Sequence, residues 1–577
     1  MSLEGTIFDR HYQRVSCILA IIFFIIFARL FHLQIYLGNE LQIRAQKNCI
    51  RTTKTPCIRG NILDCNGKLL ATNRPVTKLY WQSSHNKNLS ADQLDLLSFL
   101  KKVCDINETE TLHEKIQYAK KYGKKVLLDS DISFEHLSKI FEKFPDHPNI
   151  MIEKEIKRYY PYTMLASHTI GYISNIALDT EGKMGLEKLF ETTLKGTKGQ
   201  RINLINSTGS SIFEQEIKKS LIGNDIQTTL DVSLQMIAEQ SFNNNQTGAM
   251  ILIDPENGAI KALVSRPSFD PSVFLSPINS DKWLALQENK PFLNRVFNAC
   301  YPPASIFKLV SLAAGLELNI ISPETIFECN GYLKFHNLRY HCAKRSGHGF
   351  LTMHEAVAKS CNIPFYEIGK QISIDDLATY ALKFGLGQKT NTVFAEQAGL
   401  VPTREWKYKK LGEPWWAGET LHASIGQGYL LVTPIQIASM IGSIFKGYLV
   451  NPRILTQEPI FLRPLSVSLS TRNFLKKSMK SVVTQGTGAR VNTIEDIKIY
   501  AKTGTAQVSK LGKRSLGKEH LEHAWFVAYI CFKEAPPLVL VLLIEHAGSS
   551  RAATSVAKQF LSRYRTHMIK QEKSKKS

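Results

Sequence analysis

At 577 residues the chain is too long for one ordinary hydrophobic core, so two or three folded units are expected. Its 44% hydrophobic and 10% aromatic content, with 34 glycines and 22 prolines, is that of a globular protein and excludes a fibrous or wholly disordered one. The net charge of +22 suits an anionic partner or simply solubility; no zinc-finger, Walker or RNA-binding aromatic motif accompanies it, so no nucleic-acid partner is expected.

After a short polar start, residues 1–14, the stretch Val15 to Leu37 is apolar except for Ser16, Arg29, His32 and Gln34. That is long enough to cross a bilayer. Leu33-Gln34-Ile35-Tyr36 offers no small-residue cleavage site, so the segment is expected to remain as a single anchor. Arg10 and Arg14 precede it, while Arg44, Lys47, Arg51 and Lys54 follow it, a count that favours a cytoplasmic main body. Long domains translocate largely regardless of such counts. The ten cysteines form no dense framework and do not fix a redox compartment.

Residues 45–225 are mixed, with charge-rich helical stretches such as Asp92 to Lys102 between Gly and Pro turns, and are expected to form a separate non-catalytic unit. A second unit is expected over 226–565. Within it, Ala249 to Ile253 and Ala259 to Val264 flank the turn Asp254-Pro255-Glu256-Asn257-Gly258 and predict a β-hairpin. Ile497 to Ala501, Ala524 to Phe532 and Leu538 to Glu545 predict further strands, and Ala553 to Ile569 a helix. Residues 566–577, with Lys570 to Lys576, are expected as a basic solvated tail. Strands from both ends of the unit with helices between them predict one α+β domain whose sheet is closed by distant segments.

Tyr301-Pro302-Pro303-Ala304-Ser305-Ile306-Phe307-Lys308 runs into a good helix-forming stretch, which puts Ser305 at a helix start. Residues i and i+3 share a helix face, so the Lys308 amine is expected beside the Ser305 hydroxyl. An amine kept neutral by burial and by other cations can take a serine's proton, an acyl-transfer design. On its own a serine before a helix is more often an N-cap. Ser360-Cys361-Asn362 and the strand-borne Lys502-Thr503-Gly504-Thr505 follow in order, and the three elements together are the signature of penicillin-binding proteins and their β-lactamase relatives.

The chain resembles the class B penicillin-binding proteins, and within them the cell-elongation branch, penicillin-binding protein 2. The resemblance runs through Arg59-Gly60-Asn61-Ile62-Leu63-Asp64-Cys65-Asn66-Gly67, where Cys65 replaces the usual arginine, Gly185-Leu186-Glu187, and Leu194-Lys195-Gly196-Thr197-Lys198-Gly199. It continues in Ile425-Gly426-Gln427-Gly428, Thr433-Pro434-Ile435-Gln436 and His523-Ala524-Trp525-Phe526. Ala304 stands where glycine is commoner, a change that reads as minor from sequence. The resemblance implies an antiparallel sheet with helices, the penicillin-binding/β-lactamase-like transpeptidase fold, behind a pedestal or dimerisation domain and a transmembrane helix.

It also implies roles for single residues. Ser305 is the acyl-ester nucleophile and Lys308 its base; Ser360 relays a proton and Asn362 binds the peptide stem. Lys502 supplies positive potential, Thr503 and Thr505 bind the terminal carboxylate, Gly504 completes their motif, and the N–H groups of Ser305 and Thr505 form the oxyanion hole. The implied substrates are peptidoglycan peptide stems, with β-lactams as inhibitors. The setting would be the bacterial inner membrane with the catalytic domain in the periplasm. No glycosyltransferase region fits before the pedestal, so a SEDS-family glycosyltransferase and elongation-complex proteins are implied partners. A division-type enzyme, a β-lactam sensor or β-lactamase, and a non-catalytic scaffold are the alternatives.

Cys329, Cys342, His348 and Cys361 lie between the nucleophile and the Ser360 motif, and three thiolates with one imidazole complete a tetrahedral structural zinc site. Free buried thiols or a disulfide are the other readings of the same residues. Resemblance favours zinc, since elongation-type relatives include members with zinc in this interval, held by carboxylates, a histidine and a cysteine. Cys361 inside the Ser360 motif would then let the metal brace the catalytic turn. His336, His341 and His354 are expected to have no metal role.

Overall fold

The computed structural model describes residues 4–82, 89–104, 114–119, 125–176, 179–205, 211–276, 278, 280–288, 290–494, 496–508, 517–532 and 535–576. The ends of the two expected tails, residues 1–3 and 577, lie outside the described residues. Two compact units result: Met1–Ile58 with Lys195–Gly223, and Arg59–Leu194 with Asn224–Ser577. The segment 45–225 therefore contributes to both.

In the first unit the helix Glu4–Phe31 continues through a π-helical turn, His32–Tyr36. Its stretch Tyr12–Tyr36 is long and apolar enough to cross a bilayer, and none of it is buried by protein. Lipid is what can bury these side chains. The helix Gly38–Cys49 leads into an antiparallel sheet of Ile50–Thr55, Gly199–Ile205 and Ser211–Lys218. Its register sets Ile50 opposite Leu204 and Leu204 opposite Phe213, with Arg51, Asn203 and Glu214 in the next row. Successive rows point to opposite faces, so the apolar Ile50–Leu204–Phe213 row and the polar Arg51–Asn203–Glu214 row lie on opposite sides of the sheet.

The second unit begins with a sheet in which Leu69–Gln82 pairs with both Lys125–Asp129 and Ile150–Tyr159. Leu79 and Trp81 pack there against Leu96, Leu97 and Leu100 of the helix Ala91–Val103. Ser90 and Gln93 cap that helix reciprocally, which fixes the start of the charge-rich stretch seen in the sequence. The two short motifs of this region meet around the fully buried Glu187. Arg59 Nε reaches its Oε2 at 2.6 Å and Arg158 Nε its Oε1 at 2.7 Å. Arg59 Nη2 adds the Glu187 carbonyl and Glu191 Oε2, both at 2.7 Å. Asp64 is also buried; it accepts from the backbones of Asn66 and Lys68 and from Val232 N at the start of the helix Val232–Gln240.

The rest of this unit is built on a five-stranded antiparallel sheet of β1 (Gly248–Ile253), β2 (Ile260–Arg266), β3 (Ile497–Ala506), β4 (His523–Phe532) and β5 (Leu538–Ile544). The spatial order is β2-β1-β5-β4-β3, so the strands from the far end of the chain do complete the hairpin's sheet. Both faces are covered. Ile251, Leu263, Trp525, Val527, Val541 and Leu543 face the helices α1 (Lys308–Glu317), α2 (Met353–Ala358), α3 (Ile363–Gln371) and α4 (Pro434–Lys446). The alternate residues Met250, Leu252, Val264, Phe526, Ala528 and Leu542 face Leu234 and α5 (Ser550–Lys576). Strands buried on both sides read as continuous apolar runs, which is why they were visible in the sequence. α5 continues through the basic stretch expected as a tail.

Candidate active site

Ser305 lies half-buried on a 3₁₀ turn, Ala304–Ile306, immediately before α1. The turn is held from two sides. Ala304 N donates to Gly426 O at 2.9 Å, and Trp525 Nε1 donates to Pro302 O at 3.0 Å. Gly504 lets β3 pass close by, since a Cβ there would sit 3.3 Å from Ile306 Cγ1 and 3.2 Å from Trp525 Cβ. Ala304 has φ of +48°, in the left-handed region that favours glycine. Its methyl is therefore not the minor change it looked in sequence, because the backbone ahead of Ser305 is strained.

Lys308 is fully buried, and its Nζ donates to Ser360 O at 2.9 Å, Cys361 O at 3.1 Å and Asn362 Oδ1 at 2.7 Å. Ser305 Oγ makes no hydrogen bond among the described residues, so the amine binds the Ser360 turn and not the Ser305 hydroxyl. Burial lowers the Lys308 pKa to about 8, against the opposing pull of Cys361 and Cys342. Lys502, on β3 and equally buried, donates to Ser360 Oγ at 2.9 Å and to Thr503 O at 3.0 Å. Burial, and then the charge of Lys308, holds it well below the ordinary lysine range. Ser360, at φ of +53°, is thus clamped between two lysines by its carbonyl and its hydroxyl. Asn362 completes the turn by donating Nδ2 to His341 O at 3.0 Å.

Thr505 is half-exposed and its Oγ1 accepts from Ser550 N at 3.2 Å. Thr503 is buried, with its hydroxyl 2.6 Å from that of the exposed Thr487. Thr487 did not emerge from the sequence. Its only signal is Gly486-Thr487-Gly488 directly after a helix, and Gly486 is needed because a Cβ there would meet Ala358 O at 2.2 Å.

The family description "Penicillin binding protein transpeptidase domain" matches residues 248–563, and "Penicillin-binding Protein dimerisation domain" matches 54–228. The chain belongs to the penicillin-binding protein transpeptidase family. Among curated relatives, the peptidoglycan D,D-transpeptidase MrdA of Acinetobacter baumannii is 30% identical, over 92% of this chain and 84% of that one. MrdA of Escherichia coli is 27% identical over 93% and 91%. Penicillin-binding protein 2 of Helicobacter pylori, solved in complex with MreC, superposes with a TM-score of 0.75 at 28% identity, covering 89% and 98% of the two chains. A chain of a peptidoglycan synthase complex coordinating polymerization and crosslinking gives 0.75 at 28% identity, covering 96% and 98%.

At the Ser360 turn of this penicillin-binding protein, Cys329, Cys342, His348 and Cys361 bring their ligand atoms within 4.8 Å of one another. Two short antiparallel strand pairs place Cys329, Cys342 and His348, and the turn between α2 and α3 places Cys361. Ile326–Cys329 pairs with Gly349–Thr352, and Tyr332–Phe335 pairs with Leu338–His341. Gly347 permits the close turn, since a Cβ there would lie 2.2 Å from Cys329 O. Cys329 Sγ and Cys342 Sγ each lie 3.5 Å from His348 Nδ1, and Cys342 Sγ lies 3.7 Å from Cys361 Sγ. Ligands at ordinary zinc–sulfur and zinc–nitrogen lengths in a tetrahedron are about 3.6–3.8 Å apart, which these three separations match. All ten cysteines are free thiols. Of the neighbouring histidines, His336 and His341 are exposed, and His354 Nδ1 sits 2.8 Å from Ser478 Oγ.

Proposed function

We propose that the protein is a peptidoglycan D,D-transpeptidase of cell-wall elongation, in which Ser305 forms the acyl-enzyme. The observation that carries this reading is the buried set joining Lys308, the Ser360-Cys361-Asn362 turn and Lys502 beside the nucleophile turn. Lys308, with its basicity lowered by burial, takes the Ser305 proton as Oγ attacks the carbonyl of the penultimate D-alanine. The N–H groups of Ser305 and Thr505 receive the oxyanion, each worth roughly 3–4 kcal/mol. Ser360 passes a proton to the departing D-alanine amine, and Lys502 keeps the turn electropositive. Thr505 receives the terminal carboxylate, backed by the Thr503–Thr487 hydroxyl pair. Asn362 offers a remaining carbonyl lone pair to a stem amide. The amine of a second stem then takes the acyl group, forming the cross-link; a β-lactam stops at the first step.

The anchor helix and the MrdA relatives support an inner-membrane protein with its catalytic domain in the periplasm. Residues 45–225 act as pedestal and 226–565 as transpeptidase domain. The solved neighbours, one bound to MreC and one within a synthase complex, support work inside a wall-synthesis assembly; a SEDS-family glycosyltransferase as the polymerising partner rests on the sequence resemblance alone. A structural zinc held by Cys329, Cys342, His348 and Cys361 would fix the Ser360 turn, and it supplies no step of the acyl transfer.

Labelled penicillin tests the assignment: a persistent adduct on the wild type and none on Ser305→Ala is expected. Adduct on the variant, or rapid release of hydrolysed drug, overturns it. Septal rather than sidewall placement in growing cells would replace elongation by division.

A further inference from the structure

The Cys342–Cys361 pair is more than a pair of metal ligands. Their sulfurs are 3.7 Å apart, while a disulfide needs about 2.0 Å, so closure requires a shift of between 1 and 2 Å. Each cysteine is tied to the catalytic turn by its own backbone or its neighbour's. Cys361 O accepts from Lys308 Nζ at 3.1 Å, and His341 O, one residue before Cys342, holds Asn362 Nδ2 at 3.0 Å. Cys342 itself is buried, but it lies between exposed His341 and Ala343, whereas Cys361 is fully enclosed.

We propose that Cys342 and Cys361 form a reversible redox latch that switches the active site off when the metal is lost and a small disulfide is present. The inference rests on the reading of the cluster as a metal site, since two sulfurs committed to zinc are not free to join. Once the metal leaves, the Cys342 thiolate attacks the small disulfide, forming a mixed disulfide and releasing one thiolate. Cys361 then attacks the Cys342 sulfur and releases the second thiolate. Two protein thiolates are oxidised and one disulfide is reduced to two thiolates. Closure pulls the carbonyls that hold Lys308 and Asn362, and displacements of about 1 Å at a catalytic site cost up to about 10²-fold.

The test uses the full-length protein in three states: as purified, chelated under reductant, and chelated then treated with glutathione disulfide. Metal content, free thiols, cross-linked peptides in a digest and acylation by labelled penicillin are read in each. The expected result is a peptide pair joining Cys342 to Cys361, a fall in acylation of about tenfold or more, and recovery with dithiothreitol. In Cys342→Asp, which keeps a ligating atom but cannot form the bond, the oxidised-to-reduced ratio should stay near one whatever the basal rate. The wild-type reversal is read independently of that variant. A Cys342–Cys361 cross-link without loss of acylation, the same loss in Cys342→Asp, or a cross-link that leaves out Cys361 overturns the latch. A protein purified without metal refutes the zinc reading by its metal content, while the oxidised-against-reduced comparison still decides the latch.

Discussion

Lys502 Nζ donates to Ser360 Oγ at 2.9 Å, and neither this buried amine nor Lys308 has a carboxylate partner among the described residues. Two enclosed amines without an anion are costly for folding, a cost that the proposed acyl transfer would account for if they set the protonation of the site. Lys502→Met keeps an unbranched side chain of similar size and removes the amine. Urea unfolding should find it at least as stable as the wild type, while acylation by penicillin falls about 10²-fold or more. A less stable variant with normal acylation would make Lys502 a structural residue.

Gly426 bears on the nucleophile from behind. It has φ of +75°, and a Cβ would lie 2.1 Å from Ala304 O and 2.8 Å from Phe307 Cβ. Gly426→Ala must push the turn that carries Ser305, with an expected loss of about 2–4 kcal/mol and a parallel loss of acylation. Unchanged melting temperature and adduct yield would show that the turn can move aside.

Much of this is legible in the amino-acid sequence. The strands of the central sheet are buried on both faces, so their continuous apolar runs stood out, and Ser305, Lys308, Ser360, Asn362 and Lys502 came from fixed spacings. Three features were not legible, for physical reasons. The strain at Ala304 is a backbone angle imposed by Gly426 and Trp525, both distant in sequence. Lys308 turns to the Ser360 turn because three acceptors converge there in space. Thr487 belongs to the site only because α2 ends beside its loop, where Thr487 N donates to Ala358 O.

The Arg59–Glu187–Arg158 cluster predicts an asymmetry. Glu187 is fully buried between two guanidinium groups, whereas the Glu191 side chain is 22% exposed. Breaking a buried pair strands an uncompensated charge, typically 3–5 kcal/mol. Glu187→Gln should cost several kcal/mol in urea unfolding and Glu191→Gln clearly less. Equal effects would mean that water already screens the buried pair.

For the cysteine–histidine cluster, metal analysis of the purified protein should find about one zinc per chain, and chelation under reductant should lower the melting temperature. Cys329→Ser removes a ligand that lies outside the Ser360 turn in sequence and should release metal at lower chelator concentration. Absence of metal with a Cys329–Cys342 disulfide would return these residues to plain thiol chemistry.

His168 carries a pH dependence of known sign. Burial, opposed by a hydrogen bond to Pro291 O and assisted by Arg295, lowers its pKa from the model-peptide 6.5 to about 4. Its Nε2 lies 2.6 Å from Pro291 O, and a carbonyl can only accept, so the neutral ring donates there. The unfolded chain therefore binds a proton between about pH 6.5 and 4 that the folded chain refuses, and stability falls as pH drops through that window. From pH 7.5 to 5.0 the loss due to this one group is about 2 kcal/mol. His168→Gln keeps a donor for Pro291 and does not titrate. The stability advantage of wild type over His168→Gln should shrink by about that amount between the two pH values, and a constant difference would mean that the ring takes up its proton at the same pH in the folded and unfolded chain.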